Sequence, residues 1–476
     1  MGLIVTGHLN KSYSKYISIF FEGKVSVCPH IPEASIKFIK NAIEKEGFTG
    51  KKGEIFKISY PEGDYIIDLI YIGVGKKEEF TRVSYRNSLF KALNSLKGEK
   101  GDISIFSPSK ILNDASIIAE VLENVNYSFD KYKSEKKEIL KLELFSEEPQ
   151  DIEEVLNVCE ATSLAKDLVS EQAEVMDPKK MASIAKEQGA KQGFEVEILK
   201  EDRIKELGMN AFLAVGRAAK KRPRLIIMRY FGDKDSEYTY GLVGKGITFD
   251  TGGLCLKGKG NMGAMKDDMG GAATVIGAMM CIAKNKLKKN VIAVIPACEN
   301  SIGDDAYRPS DIVKSMSGKY IEITNTDAEG RVILVDALTY IIQKENISEV
   351  IDVATLTGAV SVALGNTIVG AFTNKLQMFK KLEKNSEKWG EMFWNLPIVD
   401  EHRSLLKSDI ADIKNSSGVT AGGACTGAAF IESFIEGKPW MHLDIGGTVM
   451  SNIEVDFIKK GATGIGVKSL YEYIKN

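Results

Sequence analysis

KYIEITNTDAEGRVILVDALTYIIQKE, Lys319 to Glu345, changes texture twice. Over Lys319–Thr324 apolar and polar side chains alternate with the period of a half-buried strand, and from Val332 the apolar residues recur at helical spacing. Between them, Asn325–Val332 sets three ionisable side chains, Asp327, Glu329 and Arg331, at every second position, with only Ala328 and Val332 apolar. A strand, a charged loop and an apolar helix in succession form the unit of a mostly parallel sheet sandwiched by helices. Ligands of such sheets sit beyond the carboxyl ends of the strands, and this reading puts the loop there.

The same alternation extends through the C-terminal part of the chain. PRLIIMRY (223–230), YTYGLVGKGITF (238–249), NVIAVIPAC (290–298) and EVIDVATL (349–356) read as strands, and GGAATVIGAMMCIAKNK (270–286) as a helix. Nearer the start, GKVSVCPH (23–30), DYIIDLIYIGVG (64–75) and GDISIFSP (101–108) are strand-like. SIKFIKNAIEKEG (35–47), RNSLFKALNSL (86–96) and DASIIAEVLENV (114–125) are helical. DIEEVLNVCEATSLAKDLVSEQ (151–172) follows a charge-dense stretch and has helical spacing. The expected fold is α/β with two domains: a smaller N-terminal α/β domain over 1–150, a connecting helix over 151–170, and a larger C-terminal catalytic domain over 171–476 with a mostly parallel sheet flanked by helices.

Composition narrows the function. Of 476 residues 44% are hydrophobic and 27% charged, enough for two full cores. With 63 basic and 65 acidic side chains, the net charge of −2 gives no field to draw in nucleic acid or an anionic membrane. Six cysteines, at 28, 159, 255, 281, 298 and 425, show no C-x-x-C spacing and suit a reducing, cytoplasmic setting. The start lacks the long apolar core of a secretory signal. Gly2 and Thr6 match a myristoylation pattern, but GLIVT reads more simply as a first strand. The most apolar long stretch, TLTGAVSVALGNTIVGAF (355–372), is broken by Gly358, Gly365, Asn366 and Gly370, so no membrane span is expected.

A second charged segment has the placement of the first. GLVGKGITFDTGGLCLKGKGNMGAMKDDMGGAAT (241–274) leaves a strand and carries Lys245, Asp250, Lys257, Lys266, Asp267 and Asp268 before a helix begins near Gly270. Carboxylates crowded at one rim repel unless protons or cations intervene, and a carboxylate-bridged pair of divalent ions is the usual solution. His8, His30, His402 and His442 all lie outside both segments, so the ligands would be oxygens with at most one neutral lysine amine. Such donors suit Mn²⁺ or Mg²⁺, and Zn²⁺ accepts carboxylates as well.

Each residue alone has a plainer reading. Asp250 and Asp268 fit turns or N-caps, Asp327 an Asx-turn, Glu329 with Arg331 a solvated helix start, and Lys245 and Lys257 an ordinary surface. Their joint arrangement is what singles them out. GKGNMG (258–263) is a literal G-x-G-x-x-G, yet AMKDD separates it from the next helix and Ala283 stands where an acidic ribose ligand belongs, so a dinucleotide is not expected. GRAAKKRPR (216–224) is the candidate nucleic-acid patch and reads more simply as a solvated rim.

GKGITFDTGGLCLK (244–257), MKDDMGGAA (265–273) and above all NTDAEGRV (325–332) resemble the signature blocks of the M17 leucyl, or cytosol, aminopeptidases. The successive intervals of 7, 11 and 59 residues from Asp250 through Lys257 and Asp268 to Asp327 fit the same family. Resemblance continues through LGMNAFLAVGRAAKKRPRLI (207–226), CENSIGDDAYRPSDIVKSMSGKYIEI (298–323), DVATLTGAVSVALG (352–365) and WMHLDIGGT (440–448).

This resemblance implies a hydrolase that removes the N-terminal residue of peptides, with a leucine-like preference, through a hydroxide bridged by two metal ions. One ion would be held by Lys245, Asp250, Asp268 and Glu329, the other by Asp250, Asp327 and Glu329. Lys257 and Arg331 would be catalytic groups outside the ligand set, Arg331 with a bicarbonate ion. Met265, Thr355 and Leu356 would line the substrate pocket. The ions would be Mn²⁺ or Zn²⁺, two per subunit of a cytoplasmic homohexamer whose partners are peptides and not membranes. AKDLVSEQAEV (165–175) departs from the family's usual Asn and Pro at Ser170 and Gln172, outside the metal site.

Overall fold

The computed structural model describes residues 2–6, 13–27, 33–62, 64–97 and 103–476. The chain divides into two compact units, Met1–Cys159 with Ile453–Lys459 and Glu160–Asn452 with Lys460–Asn476. The helix Glu153–Ser170 carries the chain from one to the other.

The first unit holds β1 (Leu3–Thr6), β2 (Lys15–Phe20), β3 (Ile55–Glu62), β4 (Tyr65–Gly73), β5 (Ile103–Phe106) and β6 (Leu142–Phe145), ordered β1-β6-β5-β2-β4-β3. Neighbours run parallel except β3, which folds back on β4. Two helices of this unit start on side-chain caps. Thr81 forms a capping box with Ser84 before Arg82–Asn94, and Asp114 accepts Ser116 N and Ile117 N before Ala115–Asn126. GKVSVCPH forms no strand over its described residues, because the chain has already turned at Glu22–Gly23 after β2. Cys28, His8 and His30 lie outside the described residues. Ile453–Lys459 belongs to this unit through Phe457, whose ring packs edge-on to Phe90 at 5.5 Å beneath the Arg86 guanidinium.

In the second unit the strands follow as β7 (Glu195–Leu199), β8 (Arg224–Phe231), β9 (Thr239–Gly244), β10 (Gly246–Asp250), β11 (Asn290–Asn300), β12 (Ile312–Lys314), β13 (Tyr320–Glu322), β14 (Glu349–Ala354), β15 (Ile368–Thr373), β16 (Met392–Asn395), β17 (Ile413–Lys414) and β18 (Trp440–Asp444). The nine-stranded main sheet runs β16-β15-β18-β14-β9-β11-β8-β7, with β10 paired to β11 beyond the end of β9. Its central strands β18, β14, β9 and β11 are parallel and buried almost throughout. Covered on both faces, they show continuous apolar runs rather than alternation. The helix Glu329–Lys344 shares one core with Leu225, Ile227, Val243, Ile292 and Val294. Ile226, Leu242, Val291 and Ile295, which alternate with these, are equally buried, and the helix Gly270–Lys284 packs against β9, β11 and β14.

Two readings change in detail. YTYGLVGKGITF breaks at Lys245 into β9 and β10, where Lys245 N bonds Val353 O at 3.0 Å and its carbonyl accepts Ala272 N at 2.9 Å. KYIEIT does not enter the main sheet. It supplies only β13, antiparallel to β12 and parallel to β17 in a separate three-stranded sheet. Its alternation marks a strand covered on one side, whereas main-sheet strands are covered on two. The charged loop after β13 is therefore brought sideways onto the rim where β10, β11 and β14 end. The stretch 355–372 becomes a short helix, Gly358–Leu364, and then β15, and among the described residues no helix is long and apolar enough to cross a membrane.

Candidate active site

Asp250 ends β10, and its Oδ1 accepts Gly252 N at 2.8 Å. The next residues double back, with Lys257 N bonded to Thr251 O at 3.0 Å, so that Lys257 returns to the same rim. Its ammonium lies 2.7 Å from Asp250 Oδ2 and 2.5 Å from Asp327 Oδ1. Lys245 reaches in from the break between β9 and β10. Its Nζ donates to Asp268 Oδ1 and to Thr355 O, each at 2.7 Å, and stands 3.0 Å from Glu329 Oε1. Gly330 permits this approach, since a Cβ there would sit 2.5 Å from Lys245 Cε. The structure thus joins Lys245, Asp250, Lys257, Asp268, Asp327 and Glu329 in one network of contacts.

Burial pushes Asp250 up to about 7, with Glu329 adding to the rise and Lys257 and Lys245 opposing it. Burial also drives Asp268 well above the usual carboxylate range against the pull of Lys245, and raises Asp327. Glu329 goes the other way: burial would raise it, but the two ammonium groups together outweigh burial and hold it down. Both lysines rise, because the surrounding carboxylates outweigh their burial.

The residues fit a divalent cation. Asp250, Asp327 and Glu329 each offer an oxygen within 4.8 Å of the others. Asp268 Oδ2 and Glu329 Oε2 are buried without a hydrogen-bond partner among the described residues. A buried carboxylate oxygen left so is costly, and four carboxylates facing two ammonium groups remain short of positive charge. A hard cation supplies both what the orphaned oxygens lack and the missing charge.

The remaining expected residues fall around this cluster. Arg331 is buried one turn into its helix, with Nη1 donating to Asn415 O at 3.1 Å and Nε without an acceptor among the described residues. Burial lowers its pKa, opposed by Glu329 and Asp444. Leu356 and Arg331 converge on Gly427, where a Cβ would stand 3.2 Å from Leu356 Cδ2 and 3.3 Å from Arg331 Nη2. Thr355 turns its hydroxyl onto Asp268 Oδ1 at 2.8 Å. Met265 lies half-buried on the single 3-10 turn Met265–Asp267 that leads into Asp268. Lys266 points away and donates to Ser170 O at 2.6 Å, so one of the two positions that depart from the family pattern touches this turn. GKGNMG forms an exposed helical turn, Lys259–Met262, rather than a strand-to-helix joint. Of the cationic run, Lys221 pairs with Asp177 and Glu174 and Arg222 with Glu201.

Three supporting residues escaped the sequence reading. Asn415 accepts Thr324 N at 2.8 Å and donates to Asn325 O at 2.7 Å, holding the loop that carries Asp327. Asp444, at the end of β18, accepts Leu356 N at 3.1 Å and the Thr357 hydroxyl at 2.7 Å. Asn300, at the end of β11, donates to Asp250 Oδ1 at 2.7 Å. Asp444 and Asn300 lie within blocks of the family resemblance, and that was the only available signal.

A two-unit α/β protein with carboxylates and lysines gathered at the rim of its larger sheet has the donor set of a metal-dependent enzyme. Comparison with known proteins makes this specific. The profile of the cytosol aminopeptidase family, catalytic domain, matches residues 163–471, and that of the family's N-terminal domain matches residues 24–136. A probable cytosol aminopeptidase of Fusobacterium nucleatum is 47% identical over 470 residues, covering 98% of this chain and 97% of that protein. One of Clostridium perfringens is 45% identical over 476 residues, covering 95% and 94%. Among solved structures, the bottromycin maturation enzyme BotP in complex with Mn superposes with a TM-score of 0.86 at 29% identity, covering 98% of this chain and 99% of that one. The chain belongs to the M17, or cytosol aminopeptidase, family and is a metal-dependent exopeptidase.

Proposed function

We propose that this chain releases the N-terminal residue of peptides, with a leucine-like preference, using two divalent ions per subunit. Lys245, Asp250, Asp268 and Glu329 would hold one ion and Asp250, Asp327 and Glu329 the other. The observation that carries this reading is the meeting of Asp250, Asp327 and Glu329 within 4.8 Å, beside buried Asp268 and Glu329 oxygens that lack donors among the described residues. The Mn complex of BotP supports Mn²⁺, and Zn²⁺ suits the same donors. When bound, such an ion pair supplies Lewis acidity and a water activated for attack near neutral pH.

The chain's own groups do the rest. Lys245 would hold an ion as a neutral amine, a form that neighbouring dications would favour. Lys257, an ammonium held between Asp250 and Asp327, stabilises the oxyanion that develops at the scissile carbonyl, a role typically worth about 3–4 kcal/mol. Arg331, whose Nε has no acceptor among the described residues, suits a planar oxyanion such as bicarbonate, which would move a proton between water and leaving amine. Met265 and Leu356 bound the pocket for the first side chain, while Thr355 orients Asp268. Family membership is the support for a cytoplasmic homohexamer.

Dialysis against a chelator should abolish hydrolysis of a leucyl anilide, and Mn²⁺ or Zn²⁺ should restore it with two ions bound per chain. Full activity in the stripped protein would refute the reading.

A further inference from the structure

The site is assembled from two loops that arrive from different sheets. One follows β10 and carries Asp250 and Lys257; the other follows β13 and carries Asp327 and Glu329. Only a few contacts fix the distance between them, and most pass through Thr326, which is fully buried. Its hydroxyl donates to Gly252 O at 2.6 Å and accepts Cys255 N at 2.8 Å, while its carbonyl accepts the Tyr307 hydroxyl at 2.7 Å.

Asn300, from β11, adds a side chain that touches a site carboxylate and the opposite loop together. Its Nδ2 donates to Asp250 Oδ1 at 2.7 Å and to Thr326 O at 3.0 Å, and the residue is fully buried. Both neighbours are acceptors only, so the amide nitrogen must face them. Oδ1 is thereby left buried without a donor among the described residues, a cost kept in place by the two bonds on the other side. Asp250 Oδ1 now holds two donors, Gly252 N and Asn300 Nδ2, so Oδ2, which faces Lys257, is the oxygen left for a cation. The Asn300 backbone fastens the same loop again, its carbonyl accepting Thr251 N at 3.0 Å and the Thr251 hydroxyl at 2.8 Å.

We propose that Asn300 is a positioning residue of the metal centre: its amide selects the Asp250 oxygen presented to the ions and sets the gap between the Asp250 and Asp327 loops. This rests on the two-ion reading of the site. An amide is required here, because an aspartate would add a fifth carboxylate and could not donate, and an alanine would leave Asp250 free to rotate.

The test is calorimetric titration of Mn²⁺ into metal-stripped wild type and Asn300→Ala, with thermal unfolding of both stripped proteins. The variant should bind at least one ion about 10- to 100-fold more weakly, as other changes behind a metal ligand do. A role in folding alone would lower the unfolding temperature and leave both affinities unchanged, which would overturn the proposal. Should Asn300→Ala fail to fold, Asn300→Leu keeps the volume and removes the donor, and wild-type affinity in that variant would overturn it equally. Wild type that takes up no divalent ion would remove the two-ion reading and this inference with it. Two ions bound alike by wild type and Asn300→Ala would remove this inference alone.

Discussion

Lys245 and Glu329 meet 3.0 Å apart, both buried, across the glycine of the AEGR turn. A buried ion pair holds together only when its other donors and acceptors are satisfied. The Lys245 ammonium achieves this with Asp268, Glu329 and the Thr355 carbonyl. Glu329 does not, because its second oxygen has no donor among the described residues. Of the four carboxylates it is also the one whose pKa is lowered, by two ammonium groups that outweigh its burial.

Glu329→Ala should therefore bring turnover to background and reduce bound metal below two ions per chain by elemental analysis. Removing one partner from a buried pair typically costs about 3–5 kcal/mol, so the stripped variant should also unfold earlier than stripped wild type. Near-normal activity at saturating Mn²⁺ would eliminate the bridging role.

Lys257 sits in the same network, but as a cation among carboxylates it is read as an oxyanion stabiliser and not a ligand. Lys257→Ala should lower kcat by about 10²- to 10³-fold while the bound metal stays at the wild-type level. Loss of metal from the variant would move Lys257 into the ligand set.

Asp444 sets the shape of the Leu356–Thr357 backbone, through Leu356 N at 3.1 Å and the Thr357 hydroxyl at 2.7 Å. Its carboxylate serves the loop proposed to bound the substrate pocket and, among the described residues, makes no hydrogen bond to the four site carboxylates. Asp444→Ala should raise KM for leucyl substrates more than it lowers kcat, at unchanged metal content. A fall in kcat alone would show that the loop does not bound the substrate pocket.

How much of this was legible depended on where the signal resides. Lys245, Asp250, Lys257, Asp268, Asp327 and Glu329 stand in two short segments whose charge is unusual for their apolar surroundings, so they stood out before any coordinates. Their meeting required the fold. β2 gives no alternating signal, since KYISIF, at 15–20, is buried over five of its six residues. The sequence does not say which sheet β13 joins, because a strand covered on one side has the same period in a sheet of three as in one of nine. The return of Ile453–Lys459 to the first unit was beyond reach, since it depends on Phe457 meeting Arg86 and Phe90 more than 350 residues away. Asn300, Asn415 and Asp444 carry no periodic signature, as a polar residue that ends a strand looks like any turn.

Asp336 lies two turns beyond Glu329 on the same helix, fully buried, its carboxylate accepting Met316 N at 2.7 Å and Phe212 N at 2.9 Å. Burial pushes its pKa up to about 7 in spite of those bonds, against an ordinary value of 3.8. Between about pH 4 and 7 the native protein therefore keeps a proton that the unfolded chain has released. The contribution of this group to stability is complete below about pH 4 and is lost as pH rises through about 7. Asp336→Asn cannot ionise and still offers one oxygen to the two amides. Urea unfolding of the metal-stripped proteins should show the variant gaining on wild type steadily from pH 4 to 7, by at most about 4 kcal/mol, and levelling off above that. A stability difference that stays flat from pH 4 to 8 would mean that the two backbone donors hold Asp336 ionised throughout, and that burial is not what governs its charge.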